Sequence, residues 1–547
     1  MKTHLPHAPG AIPRRMRPVA AAAAVLLAAT TLTACSDQDK KVDSAPVSVA
    51  TAVTPTPVTP ELSRFYEQDV RWYPCSKDAG IAAVNDKDAT FLCTTVTVPL
   101  DYSAPDGPTI QIALKKRPAS KKAMGTLFTD PGGPGGSGVN FVGNISGHFS
   151  SDLLDSYDVI GFDPRGVGSS TAVDCLTDAQ VDEQRSGQGP YATEPSADAA
   201  AYRASVESAA TAMAQACTTN TTTAGLLDHI DTVSAAKDLD ILRALSGSSA
   251  LTYLGYSYGT YLGATYAELF PGNVGRMVLD GAVDPTLSAA ALTQGQAQGF
   301  EAALRAYVTD CLGGKDCPLT GDVDSGVKQI QAFLESTRNR PLRTADPSRP
   351  LTHSLAWSAV LDILYQSEVW NVFTQGLTQA MKQDDGSVLL YISDLFASRS
   401  KDGTYSGNGN EAINAINCLD YPVEGDAAVW DQEAAELKGA SPTFGEELAY
   451  SDLYCKIWGH TSTRERTEIH ASGAAPILVV GTTGDPATPY AWSEALARQL
   501  DSGRLLTWEG NGHTAYGRGG SCVTDAVDTY LLTGQLPEEG LRCSGSK

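Results

Sequence analysis

Leu251-Thr-Tyr-Leu-Gly255-Tyr-Ser257-Tyr-Gly259-Thr-Tyr-Leu-Gly-Ala-Thr-Tyr-Ala-Glu-Leu-Phe270-Pro-Gly272 is the stretch whose reading decides the fold. An apolar, strand-length run from Leu251 to Leu254 leads into a serine with glycines two residues to either side. A helix-like pattern then runs from Tyr258 to Phe270 and stops at Pro271-Gly272. Strand, tight turn, helix is the context in which a Gly-x-Ser-x-Gly elbow lifts a nucleophile above a sheet edge. The turn forces strained angles on the serine, and the glycines keep neighbouring side chains from clashing. Glycine is common here, 51 of 547 residues, so a plain surface turn is the competing reading. The flanking strand and helix favour the elbow.

Two segments at the amino-terminal end read differently from the rest. Arg14, Arg15 and Arg17 precede an apolar run from Val19 to Leu32, shorter than the ~20 residues that span a bilayer. Residues 1–34 are therefore expected to be a signal peptide. The run closes on Leu32-Thr-Ala-Cys35, which is similar to a bacterial lipobox, so Cys35 is the expected lipidation site; ordinary cleavage near Ala34 is the alternative. Residues 35–62 are rich in Ser, Thr, Pro and Val and read as an extended tether. The expected location is the outer face of a bacterial cell membrane, with release as a secreted enzyme also open.

Eleven cysteines are an odd number, and setting Cys35 aside leaves an even set. Cys75, Cys93, Cys175, Cys217, Cys311, Cys317, Cys418, Cys455, Cys522 and Cys543 are the disulfide candidates in an exported chain. Sequence does not dictate the connectivity; pairing in sequential order is the simplest arrangement, because each pair closes a local loop. No Cys-x-x-Cys occurs, so a zinc ribbon or thioredoxin-like site is not expected. The net charge of −23 argues against nucleic acid and anionic lipid as partners. Membrane contact is expected only through the Cys35 lipid, and the protein is expected to be a monomer.

Further strand-length runs lie at 91–99, 109–114, 125–129, 157–162, 276–279, 477–480 and 505–508. Helix-like patterns such as Thr232 to Leu245 fall between several of them, which argues for an α/β fold with a mostly parallel sheet. From 285 to 474 that rhythm disappears into a helix-rich, polar segment with four cysteines. The expected layout is a first core part at 63–284, a large helix-rich cap inserted at 285–474, and a second core part at 475–547.

A nucleophilic serine needs a base, an orienting acid and donors for an oxyanion. Gly132-Gly-Pro-Gly-Gly136 follows the strand ending at Thr129, where a glycine-rich turn can aim a backbone N–H at a substrate carbonyl. Gly133 and Tyr258, the residue after the nucleophile, are the expected donors. A phosphate-binding loop is the rival, disfavoured because no Gly-Lys-Ser/Thr follows and no helix start is evident. Asp485 and His513 both sit just beyond apolar strands, where ligands bind in open α/β sheets. Asp280 is the alternative acid. Ser257, Asp485, His513 is the chain order of an α/β hydrolase.

The chain resembles the secreted tripeptidyl aminopeptidases, relatives of prolyl aminopeptidase among the α/β-hydrolase serine peptidases. The resemblance rests on Pro99-Leu-Asp-Tyr102, Gly132-Gly-Pro-Gly-Gly136, Asp163-Pro-Arg-Gly-Val-Gly168, Gly255-Tyr-Ser-Tyr-Gly-Thr260, Cys418-Leu-Asp420, Gly484-Asp-Pro-Ala-Thr-Pro-Tyr490 and Gly510-Asn-Gly-His513. It implies Ser257, Asp485 and His513 as catalytic triad, no metal and no cofactor, and peptide substrates with a free amino terminus. Prolyl aminopeptidases usually have His before the Gly-Gly-Pro-Gly turn; Asp130-Pro131 stands there here, which puts strict prolyl specificity in doubt. Asp163-Pro-Arg-Gly reads as a structural turn. By the same resemblance Asp420, with Glu411 second, is the expected acid for the substrate α-ammonium; a helix cap or surface charge is the plainer reading of Asp420. The function expected is release of short peptides, tripeptides above all, from amino termini. A carboxylesterase or lipase uses the same constellation, and a non-catalytic surface protein on this scaffold is disfavoured because every triad position is filled.

Overall fold

The computed structural model describes residues 56–75 and 91–545, apart from 194, 197 and 463. Cys35, the leader and most of the tether lie outside the described residues. The last part of the expected tether is already attached to the fold: the Thr56 N–H donates to the Asn273 side chain at 3.1 Å, and Pro60–Leu62 is a single 3-10 turn.

The ten strands are β1 (Tyr73–Pro74), β2 (Leu92–Pro99), β3 (Thr109–Arg117), β4 (Gly125–Asp130), β5 (Tyr157–Phe162), β6 (Leu251–Tyr256), β7 (Val274–Asp280), β8 (Ile477–Gly484), β9 (Gly503–Asn511) and β10 (Arg542–Ser544). They form one sheet in the order β1-β2-β3-β5-β4-β6-β7-β8-β9-β10. The β1–β2, β2–β3 and β3–β5 pairs are antiparallel, and all the others are parallel. This is an α/β-hydrolase fold with a mostly parallel sheet flanked by helices.

Why the parallel strands read as near-continuous apolar runs follows from burial on both faces. In β8, Ile477 and Val479 face one core layer, with Leu239, Leu262 and Leu496, while Leu478 and Val480 face the other, with Leu153, Val527 and Leu531. In β6, Leu251 and Tyr253 face the first layer, and Leu254 and Tyr256 the second. Helices Thr232–Leu245 and Tyr258–Leu269 cover one side; Ser151–Ser156 and Gly520–Thr533 cover the other.

The ten residues quoted from 99–102 and 163–168 sit beside the first antiparallel strands, and the Arg165 charge is locked there. Arg165 is fully buried; its guanidinium holds Asp238 through Nε and Nη2, both at 2.7 Å, and donates to the Leu100, Pro99 and His229 carbonyls. The Tyr102 hydroxyl adds a third bond to Asp238 at 2.7 Å. Asp163-Pro-Arg-Gly is a structural turn, as its sequence suggests.

Between β7 and β8 the chain is helical from Ala289 to Trp458. Its first part, Phe300 to Ile392, packs around a core of Leu304, Tyr307, Phe333, Val360 and Phe373, to which Phe444 of the later part adds. Its later part does not stand apart. Helix Gly409–Asp420 packs Ala412, Ala415, Ile416 and Leu419 into the core layer beside Leu262 and Tyr258. A second helical excursion, Asp178–Arg185 and Ala199–Asn220, leaves the sheet between β5 and β6, inside the stretch read from sequence as core. Tyr202 and Val206 from this excursion cluster with Trp430, Tyr450 and Leu453 of the later insertion. The layer above the sheet is thus composite, drawn from both excursions. Sequence order hides this, because the two pieces are more than two hundred residues apart.

Five disulfides join Cys75–Cys93, Cys175–Cys217, Cys311–Cys317, Cys418–Cys455 and Cys522–Cys543, the sequential arrangement.

Candidate active site

Five strands end their carboxyl termini around one point. Asp130 of β4 pairs with Gly255 of β6, Tyr256 with Asp280 of β7, Asp280 with Val480 of β8, and Gly484 of β8 with Asn511 of β9. Ser257, Gly132, Asp485 and His513 follow these ends in the loops.

Ser257 has φ 54° and ψ −123°, a region that non-glycine residues adopt only when their surroundings enforce it. The enforcement is visible. Its N–H donates to the Asp280 carbonyl at 2.9 Å, and its carbonyl accepts from Thr260 N–H and hydroxyl at 2.8 and 2.5 Å. The flanking glycines are sterically required: a Cβ on Gly255 would lie 2.4 Å from the Gly259 oxygen, and one on Gly259 would lie 2.8 Å from the Asp130 oxygen.

The glycine turn after β4 lies against this elbow. Gly132 has φ +92°, and a Cβ there would come within 2.8 Å of Ser257 Cβ and 3.1 Å of Tyr258 N. Asp130 Oδ1 accepts the Gly132 N–H at 2.8 Å, and Gly136 N–H closes the turn on the Gly132 carbonyl at 2.9 Å. Tyr258 opens helix Tyr258–Leu269, so its N–H has no acceptor within the helix and is free for an oxyanion. The turn also leads into a short helix, Gly138–Gly143, capped by the Ser137 side chain. The expectation that no helix starts there is therefore corrected; the six-residue helix was too short to carry a readable periodicity.

On the other side, His513 Nδ1 bonds Asp485 Oδ1 at 2.9 Å and Oδ2 at 3.0 Å. Asp485 is buried and fully engaged: Oδ1 also accepts from Ala487 and Thr488 N–H, and Oδ2 from Thr514 N–H. With Nδ1 toward the carboxylate, Nε2 is left for a serine proton. The imidazole lies beside the elbow: His513 Cε1 is 3.3 Å from where a Cβ of Gly281 would be, next to the Asp280 carbonyl that holds Ser257. Thr488 Oγ1 sits 3.3 Å from the same Nδ1.

Asp280, the alternative acid, does different work. Its carboxylate is fully buried and accepts from Ala515 N–H at 3.0 Å and Tyr516 N–H at 2.7 Å. It ties down the loop after His513, while Asp485 takes the imidazole. Burial raises the Asp280 carboxyl to about 7.

The space around these groups is a chain of cavities. One of about 190 Å³ is lined by His513, Tyr256, Pro131, Phe141, Tyr365 and Phe396. A second, of about 530 Å³, shares Pro131, Phe141 and Phe396 and runs along Gly133–Gly136. A third, of about 400 Å³, shares Asn140 and Asn408 with the second and is lined by Asp174, Asp178 and Glu411. The inserted segment supplies the roof through Phe396 and residues 406–411.

The two acids expected to read a substrate amine differ in placement. Both lie on helix Gly409–Asp420. Glu411 lines the third cavity, with Oε1 accepting the Leu176 N–H at 2.9 Å and burial raising it to about 7. Asp420 is behind the elbow. One oxygen accepts Thr232 N–H at 2.9 Å and the other the Thr232 hydroxyl at 2.5 Å, and that hydroxyl also touches the Tyr258 phenol. Burial lifts Asp420 to about 6 against the pull of those bonds and of Arg466. Asp420 is thus tied to Thr232 behind the elbow and lines none of the three cavities above, whereas Glu411 lines the third. The physical reason is the turn of the helix: nine residues place the two carboxylates on different neighbours.

Sequence reasoning missed the contacts of Asp280, Tyr365 and Arg518 with the histidine loop. Thr488 was within reach, since Asp485-Pro-Ala-Thr488 is a side-chain-capped turn by spacing.

A hydrolase-type elbow, a histidine–carboxylate pair and a glycine turn at the carboxyl edge of a mostly parallel sheet define a serine hydrolase on the α/β-hydrolase fold. A family model described as "TAP-like protein" matches residues 441–543. Serine protease Hip1 of Mycobacterium tuberculosis is 35% identical over 488 residues, 87% of this chain and 91% of that one. Carboxylesterase B of the same organism is 37% identical over 462 residues, covering 83% and 86%. Tripeptidyl aminopeptidase of Streptomyces lividans is 30% identical over 507 residues, covering 88% of each. The chain belongs to this tripeptidyl-aminopeptidase-like family of α/β hydrolases, and it is a serine hydrolase of the peptidase type.

Proposed function

We propose that the protein is an exported, lipid-anchored exopeptidase that releases short peptides, most of all tripeptides, from free amino termini. Ser257 Oγ attacks the scissile carbonyl while His513 Nε2 takes its proton, and Asp485 steadies the resulting imidazolium. The N–H groups of Gly133 and Tyr258 receive the oxyanion. Collapse expels the amine of the downstream peptide, protonated by His513, and leaves an acyl-enzyme. Water, deprotonated by the same imidazole, releases the amino-terminal fragment as its carboxylate and restores the serine.

The observation that carries the reading is the line of cavities that runs from the proposed triad to an acidic end. The cavities lead from His513 past Gly133 to a roofed end holding Glu411, Asp174 and Asp178. An acidic end is what reading an α-ammonium requires, and Glu411, the buried one of the three, is the acid of choice there. Cys35 would hold the enzyme at the outer membrane face, with no metal or cofactor needed for the chemistry described. A carboxylesterase activity is the second reading, favoured by the relative of that name at 37% identity. Mass spectrometry of products from a mixed peptide pool separates the two. Amino-terminally trimmed peptides, and tripeptide products, are expected; intact peptides alongside cleaved model esters would overturn the exopeptidase in favour of the esterase.

A further inference from the structure

The loop that carries His513 is gripped from the inserted helical layer. Tyr365 follows helix His353–Ile363, and its carbonyl accepts the His513 N–H at 2.8 Å. Its ring stands perpendicular to the imidazole, with centroids 5.3 Å apart. Two residues on, the Ser367 hydroxyl donates to the Asn511 carbonyl at 2.8 Å. Glu368 then takes Arg518 in a fork, Nε at 3.1 Å and Nη2 at 2.9 Å from Oε1. Arg518 gives its other N–H groups to the carbonyls of Asn511 at 3.1 Å, Thr514 at 3.2 Å and His513.

The chain between them is shaped for this grip. Gly512 has φ +101°, and a Cβ there would fall 2.3 Å from Arg518 Nη2 and 2.8 Å from the Tyr365 oxygen. The backbone on both sides of the imidazole is thus hydrogen-bonded to one guanidinium, and that guanidinium is oriented by an insertion residue. Glu368 is half-exposed, so the ion pair contributes little to folding stability; its effect is on orientation.

We propose that Tyr365–Glu368 and Arg518 form a positioning clamp for His513, making the inserted layer part of the general-base apparatus and not only a wall around substrate. Glu368 and Arg518 touch no reacting atom and act through the His513 backbone. The proposal rests on His513 being the base.

The test is the second-order rate of fluorophosphonate labelling, which needs an activated serine but no peptide. Arg518→Ala is expected to lower labelling and kcat together by roughly tenfold to a hundredfold, with KM little changed. Glu368→Gln should do the same more weakly, and the double variant should be no worse than Arg518→Ala alone. Free guanidinium should restore part of the Arg518→Ala loss. Wild-type labelling in folded Arg518→Ala, a change confined to KM, or additive losses in the double variant would each overturn the clamp. Should Arg518→Ala melt early, Glu368→Gln and Arg518→Lys carry the same comparison. Labelling that persisted in Ser257→Ala would instead bring down the triad reading, so the two failures are distinguishable.

Discussion

The two halves of the site are held by different physics. The half proposed to supply the nucleophile, Ser257 with the 132–136 turn, is shaped by close backbone approach, and its neighbours are glycines that no other residue could replace without collision. The proposed acid–base half, Asp485 with His513, is shaped by hydrogen bonds arriving from β7, from the 485–488 turn and from the inserted layer. The first half should therefore be sensitive to added volume, and the second to lost acceptors and charge.

The largest expected effect is the common point of both halves. Ser257→Ala should lower kcat by at least roughly 10⁴-fold and abolish fluorophosphonate labelling, with the thermal melt nearly unchanged. Asp485→Asn should cost about 10⁴-fold in kcat, because an amide favours the wrong imidazole tautomer. A mild Asp485→Asn beside a damaging Asp280→Asn would reverse the assignment of the acid.

Gly132→Ala sharpens the contrast. It adds one methyl at φ +92°, 2.5 Å from the Tyr256 oxygen, and should lower kcat by roughly 10²-fold through the displaced oxyanion donor. A variant with wild-type kcat would break the idea that volume governs this half.

Asp280→Asn comes next, at roughly tenfold in kcat, since an amide cannot accept all the N–H groups of Ala515 and Tyr516 and the histidine loop loosens. Unchanged kcat, measured beside an unchanged melt, would leave Asp280 without a role in holding that loop.

The smallest effect on rate is expected at Asp130, and its signature is in pH. Burial raises its carboxyl from 3.8 to about 7, and Oδ2 has no hydrogen-bond partner among the described residues. The folded protein keeps a proton that the unfolded chain has released, so this contribution to stability is present in acid and is lost as pH rises through about 7. Asp130→Asn keeps an oxygen for the Gly132 N–H and should change kcat by less than about threefold. Its melting temperature should gain on the wild type as pH rises from 3.8 to about 7, and the difference should level off above that. A pH-independent difference between the two would show that Asp130 does not titrate in this way.

Much of the scaffold was legible because it is encoded locally. The run at 157–162 is β5 to the residue, and helix Thr232–Leu245 begins and ends where its pattern does. The elbow, Asp485 and His513 were legible for the same reason: each follows a strand whose apolar run names it. β1 and β10, of two and three residues, carry no period to read. The antiparallel pairing of β3 with β5 was equally hidden, because alternation does not say which strand lies alongside.

Strand runs, the turn glycines, the even cysteine set and the order of Ser257, Asp485 and His513 were determined by sequence alone, since each depends on a few neighbouring residues. Tertiary structure decided what lies far apart in the chain and close in space. It set Asp280 under the histidine loop, turned Asp420 away to Thr232 while Glu411 lined a cavity, and brought Glu368 to Arg518 across 150 residues. Such contacts depend on where whole elements dock, and that is fixed by the packing of both core layers at once, which no local pattern of residues contains.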